Sequence, residues 1–243
     1  MTSHNTTRIS LWSGPRNIST ALMYAFAQRA DTKVFDEPLY AYYLSQTKAK
    51  DYHPGAKEIM ASQNTNGETV VRQMLTDQSK PVLFYKNMTH HLLNLDKAFM
   101  KSMVNLILTR EPKEMITSFA KVIPNPTMED IGYKAHIDLI TYFNAENIEY
   151  VVLDAKKVLL NPRKVLTQLC EIINIPFHDA MLNWPLGARA EDGVWAKYWY
   201  ANVHKSSGFS KYKPKIEPFP EHLNTLLADS QAYYQKLKAI SIG

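Results

Sequence analysis

The chain has 243 residues, a length that suits one α/β domain and is short for two with separate cores. Hydrophobic residues make up 45% and charged residues 21%, a globular balance that excludes a disordered or fibrous chain. Lysine and arginine outnumber aspartate and glutamate by 28 to 23, so the net charge is +5 and an anionic partner is expected. These cations are spread along the chain instead of concentrated, which argues against a nucleic-acid partner. The single cysteine, Cys170, excludes an internal disulfide and a site built on several thiolates, and it favours a reducing, cytoplasmic setting. Apolar runs such as Val104–Leu108 fall far short of the roughly 18 residues of a membrane span. Met1–Ser10 is polar and lacks the apolar stretch of a signal peptide.

In chain order, Arg8–Ser13 (RISLWS) reads as a strand, followed by a helix whose apolar face is Ile18, Ala21, Leu22, Ala25 and Phe26. Lys33–Asp36 is a second strand. Tyr40–Asn66, polar with clustered tyrosines, then interrupts the alternation. Val82–Tyr85 and Val104–Thr109 are the third and fourth strands, and Pro112 opens a helix carrying Met115, Ile116 and Phe119. Tyr150–Asp154 is the fifth strand. Asn161-Pro162 supplies the cap and first turn of a helix with Val165, Leu166, Leu169 and Ile173 on one face. Trp184–Pro220 holds three of the four tryptophans and few periodic signals, and Leu223, Leu226, Leu227, Tyr234 and Leu237 mark a final helix. Continuously apolar strands suit a sheet covered on both faces. The expectation is a three-layer, doubly wound, mostly parallel α/β sheet in a single domain over residues 1–243, with 40–66 and 184–220 as lid segments.

Gly14-Pro15-Arg16-Asn17-Ile18-Ser19-Thr20 joins the first strand to the first helix. Unpaired N–H groups at a helix N-terminus favour an anion, Ser19 and Thr20 add hydroxyls, and Arg16 adds a planar fork suited to phosphate oxygens. The second glycine and the lysine of a nucleoside-triphosphate loop are missing. Arg110 ends the fourth strand and Ser118 follows eight residues later, which brings both toward one anion at the carboxyl edge of the sheet. An ion pair of Arg110 with Glu111 or Glu114 is the competing reading. Asp36 and Asp154 end strands, where a plain capping role competes with magnesium binding.

These segments resemble the sulfotransferases, P-loop-type α/β proteins that take a sulfuryl group from 3′-phosphoadenosine-5′-phosphosulfate (PAPS). Pro15–Thr20 is similar to their P-K-S-G-T-T loop with Arg for Lys, and Arg110 with Ser118 is similar to their 3′-phosphate pair. Lys86-Asn87-Met88-Thr89-His90 is similar to their K-T-H segment with two extra residues, and Asp36–Tyr40 to an acidic-Pro segment of bacterial members. Lys205-Ser206-Ser207-Gly208 lies near the position of a C-terminal phosphate loop. A similar domain also accompanies aminotransferase-like domains in some plant proteins.

The resemblance implies PAPS as co-substrate without a metal, held by Gly14, Pro15, Arg16, Asn17, Ser19, Thr20, Arg110, Ser118, Lys205 and Ser206. Arg16 and Lys86 would face the leaving group. The base is Glu37, with His90 and His91 as rivals, and pairing of Glu37 with Arg16 as the structural alternative. The tryptophan that often stacks on adenine is replaced by Ala21, leaving Phe209 or a late tryptophan for that task. The acceptor, a small molecule or carbohydrate with a hydroxyl or amine, stays open. A magnesium-dependent kinase and a non-catalytic nucleotide binder are the alternative functions.

Overall fold

A computed structural model of the chain describes residues 6–214 and 217–243. Met1–Asn5, part of the polar opening segment, and residues 215–216, part of the second predicted lid, lie outside the described residues. The order is β1 (Thr7–Ser13), α1 (Ser19–Ala27), β2 (Thr32–Asp36), α2 (Tyr40–Gln46), α3 (Ala56–Ser62), α4 (Gly67–Thr76), β3 (Val82–Met88), β4 (Val104–Thr109) and α5 (Pro112–Phe119). It continues with α6 (Met128–Ile131), α7 (Tyr133–Ala145), β5 (Tyr150–Asp154), α8 (Ala155–Leu160), α9 (Pro162–Ile172), α10 (Ala196–Trp199), α11 (Asn224–Ala239) and β6 (Ser241–Ile242). All five predicted strands form. With the unpredicted β6 they pair in parallel in the order β2-β3-β1-β4-β5-β6.

Alternation of side chains explains why the strands read as unbroken apolar runs. Ile9 and Leu11 of β1 pack with α1 and α9 on one face, whereas Trp12 packs with α5, α7 and α11 on the other. The same division separates Phe84 from Tyr85 in β3 and Leu106 from Ile107 in β4. The chain leaves β1 toward one face and β4 toward the other, so a crevice opens at their carboxyl ends, where doubly wound sheets bind ligands. Asn161 caps α9 through its side chain, with Pro162 in the first turn as expected.

Residues 40–66 are ordered differently from the expectation. They form α2 and α3, whose buried Tyr40, Tyr43, Leu44 and Ile59 build a small satellite core with Trp195 and Tyr200. The tyrosines hide the helical period because they fill inward positions that aliphatic side chains usually take. Residues 184–214 are mostly irregular, as expected, but they are tied down. Tyr24 donates to Asp192 at 2.6 Å, His204 bonds the same carboxylate at 2.9 Å, and the Trp184 N–H reaches the Ser207 carbonyl at 3.0 Å. Among the described residues no helix is long and apolar enough to cross a membrane.

Candidate active site

A cavity of about 310 Å³ lies over the β1–β4 crevice and is roofed by residues 199–210. At one end is the loop after β1. Arg16 sits there in the left-handed region with φ 52°, so the peptide groups around it curl into a concave, anion-seeking surface. Asn17 accepts from the Ser19 N–H at 3.2 Å, and its amide donates to the Leu108 carbonyl at 3.3 Å, fixing the loop to β4. Pro15, Ser19 and Thr20 line the wall with Arg16 and Asn17.

The two halves of the predicted constellation meet. Arg16 Nε donates to Ser118 Oγ at 3.1 Å, and Arg110 Nη1 donates to the Arg16 carbonyl at 2.8 Å. Arg110 also forms the competing ion pair, with Glu114 at 2.9 Å. Among the described residues no carboxylate pairs with Arg16. Burial, with the like charge of Arg110 beside it, depresses the Arg16 pKa below its ordinary value. Unneutralised positive charge, free helix-end N–H groups and two hydroxyls on one wall fit a phosphate.

At the other end, Lys86 is fully enclosed. Its ammonium donates to Asp36 at 2.8 Å, to Glu37, and to the Tyr200 hydroxyl at 2.7 Å, so all three of its hydrogens have partners. Burial alone would lower the Lys86 pKa, but Asp36 and Glu37 hold it above the ordinary lysine value. Glu37 has φ 41°, an uncommon conformation for a non-glycine residue, and lines the cavity. Burial pushes its carboxyl up to about 7, against the pull of Lys86. Glu37 therefore pairs with Lys86, not with Arg16. His53, His90 and His91 complete this wall. Burial drives His90 down to about 3 and His53 to about 4, and His91 well below the ordinary value, so these imidazoles are neutral at pH 7.

The sequence model of the family described as "Sulfotransferase domain" matches residues 7–241, which takes in β1 to β5 whole and both ends of the cavity. This chain belongs to the sulfotransferase-domain family. It is 36% identical over 233 residues to branched-chain-amino-acid aminotransferase-like protein 1 of Arabidopsis thaliana and 34% identical over 232 residues to protein 2. Each match covers 95% of this chain, which spans only 41% of the length of these curated relatives. The sulfotransferase domain of the Synechococcus PCC 7002 olefin synthase aligns with a TM-score of 0.64 at 16% identity, over 95% of both chains. The sulfotransferase domain from the curacin biosynthetic pathway gives 0.53 at 14% identity, over 96% of this chain and 98% of that one. A sulfotransferase from Alicyclobacillus acidocaldarius gives 0.52 at 9% identity, over 98% of both. These structural likenesses establish the fold.

Within this sulfotransferase domain, several expected residues stand elsewhere. Gly14 is not on the cavity wall. A Cβ there would lie 2.7 Å from the Ile131 carbonyl oxygen, so its smallness serves the packing of β1 against α6. Lys205 is exposed and off the wall, whereas Ser206 is on it, because the short turn at Val203–Lys205 directs the lysine outward. Asp154 caps α8 by accepting the Lys156 N–H at 2.7 Å and takes the Tyr234 hydroxyl at 2.7 Å. Asp36 is engaged by Lys86, Tyr200 and the Gly193 N–H, so both strand-ending acids have structural partners. Phe209 and Ala21 both line the cavity, with Trp184 edge-on to Phe209 at 5.1 Å. Trp195 is buried, Trp199 packs against the same small core and lines the cavity, and Tyr198 is exposed. Sequence reasoning missed Tyr200 and Asn202, which also reach the wall from the irregular segment.

Proposed function

We propose that this domain moves a sulfuryl group from PAPS to a hydroxyl or amine of a small-molecule or carbohydrate acceptor. The observation that carries the reading is the junction of Arg16 with Ser118 at 3.1 Å, which puts the loop after β1 and the helix after β4 on one anion-sized surface. Family membership supports the choice of sulfuryl over phosphoryl transfer. The engagement of Asp36 and Asp154 within the protein gives a magnesium-dependent kinase reading less to stand on.

PAPS supplies a sulfuryl group on a nucleotide leaving group. The acceptor heteroatom forms a bond to sulfur as the bond from sulfur to the bridging phosphate oxygen breaks, and that oxygen keeps the electron pair. Glu37 takes the acceptor's proton, with a carboxyl tuned near the working pH by burial. Once protonated, Glu37 neutralises Lys86 less, so the lysine turns a hydrogen toward the developing anion at the moment that charge appears. Arg16, Ser19, Thr20 and the N–H groups of the loop hold the 5′ side, and Arg110 with Ser118 holds the 3′-phosphate. Phe209 offers the ring face for adenine. His90, neutral and buried, is a poor base and instead shapes the acceptor wall.

The test is a melting experiment joined to product detection. Adenosine 3′,5′-bisphosphate at about 100 times its Kd should stabilise the protein by about 2.7 kcal/mol. ATP with Mg²⁺ should do less, and an acceptor screen with PAPS should yield a sulfated product. A larger shift with ATP and Mg²⁺ would favour the kinase. Binding of the bisphosphate with no product from any acceptor would favour a non-catalytic binder.

A further inference from the structure

Two neighbouring residues of the roof hold two of the cations of the cavity, Arg16 and Lys86. The Trp199 carbonyl accepts from Arg16 Nη1 at 2.8 Å, and the Tyr200 hydroxyl accepts from Lys86 Nζ at 2.7 Å. Tyr200 is a saturated hub. It accepts from Trp195 Nε1 at 3.2 Å as well as from Lys86, and its own hydrogen goes to Asp36 at 2.8 Å. The Gly193 N–H, on the same segment, donates to Asp36 at 3.1 Å. Tyr200 is 5% exposed and stands 114 residues from Lys86 and 164 from Asp36 in sequence, so only docking of the roof brings it there.

We propose that Tyr200 is a positioning residue that fixes Lys86 for sulfuryl transfer, and that docking of residues 193–205 over the cavity is what assembles this cation beside Glu37. The inference rests on the sulfotransferase reading for its kinetic consequences. The mechanical link between roof and lysine stands apart from that reading. Without the hydroxyl, Lys86 loses an acceptor and Asp36 a donor, and the ammonium draws toward the two carboxylates, away from its working place. The Arg16 tie is to a backbone carbonyl, so it survives removal of the Tyr200 hydroxyl.

The experiment compares Tyr200→Phe, Lys86→Met and a control, Tyr198→Phe, whose ring is exposed on the short helix that Tyr200 follows. Hydrogen–deuterium exchange should rise several-fold in residues 193–205 in both Tyr200→Phe and Lys86→Met and stay unchanged in the control. Exchange in β1 and β4 should stay at the wild-type rate in all three. With PAPS and a competent acceptor, Tyr200→Phe should lower kcat about ten- to hundred-fold, the range for loss of a hydrogen bond to a charged group, and leave the donor KM within about twofold. The acid limb of its pH–rate profile should move to lower pH, because Lys86 then lies closer to Glu37 with Asp36 as the other facing charge. A fold defect alone would leave that limb in place. Unchanged roof exchange in either Tyr200→Phe or Lys86→Met, or a uniform rise across the chain, overturns the proposal. So does a loss confined to donor KM. If the wild type yields no sulfated product, the functional reading fails, and the exchange arms alone decide whether Tyr200 couples the roof to Lys86.

Discussion

At the loop end of the cavity, Arg16 and Arg110 lie together, and Glu114 pairs with Arg110. At the opposite end, Lys86 is surrounded by two carboxylates and a phenol, with every hydrogen engaged. Both ends carry cations, yet one keeps its charge available while the other neutralises it internally. The difference suits the two tasks proposed for these ends. An anchor for phosphate gains from charge that is always exposed to the ligand, whereas a group that answers charge formed only in the transition state should be held in reserve until then.

The sharpest way to break this contrast is Glu37→Gln. It should lower kcat by about a hundred- to ten-thousandfold, the span of a lost general base, with bisphosphate affinity measured by calorimetry unchanged. Full turnover by that variant would remove Glu37 as the base. Substitutions at the loop end should fail in the opposite sense. Arg16→Ala should weaken bisphosphate binding by about a hundred- to thousandfold, in line with loss of a buried anion donor. Arg110→Ala should weaken it by about ten- to hundredfold and spare adenosine 5′-phosphate, which lacks the 3′ group. Equal losses for both nucleotides would separate Arg110 from that group.

The last prediction concerns stability against pH. His53, His90, His91 and His136 are held neutral in the fold by burial, at values of about 4, about 3, well below the ordinary 6.5, and about 4. Their stabilising contribution is complete above pH 6.5 and is lost as pH falls toward those values, by about 1.4 kcal/mol per histidine per pH unit. Glu37 acts oppositely. Its folded value of about 7 lies above the unfolded 4.5, so its contribution grows as pH drops from 7 to 4.5. Four groups outweigh one, and the melting temperature should fall between pH 7 and pH 5. A flat or rising curve would place these imidazoles in contact with water or with an anionic partner.

Much of the frame was legible because parallel strands buried on both faces leave continuous apolar words such as VNLILT. The loop after β1 and the Arg110–Ser118 pair could be read because both sit at fixed distances from strand ends. Tyr200 could not be read. Its value comes from partners more than a hundred residues away, and its neighbours are irregular in sequence. α4 and α7 were also missed. The polar outer faces of the two helices diluted the period that their buried Val70, Met74, Leu139 and Phe143 set. β6 is a two-residue edge strand, too short to leave any pattern. The backbone twist at Glu37 has no sequence signature at all, since glutamate ordinarily avoids it.

That twist carries a penalty of about 1–3 kcal/mol by the usual scale for a side chain held in this region. A glycine at position 37 would adopt the same path without it and would also spare the protein a buried acid. It would also take from Lys86 one of its two carboxylate partners, so relief of the backbone and loss of a buried ion pair oppose each other at a single codon.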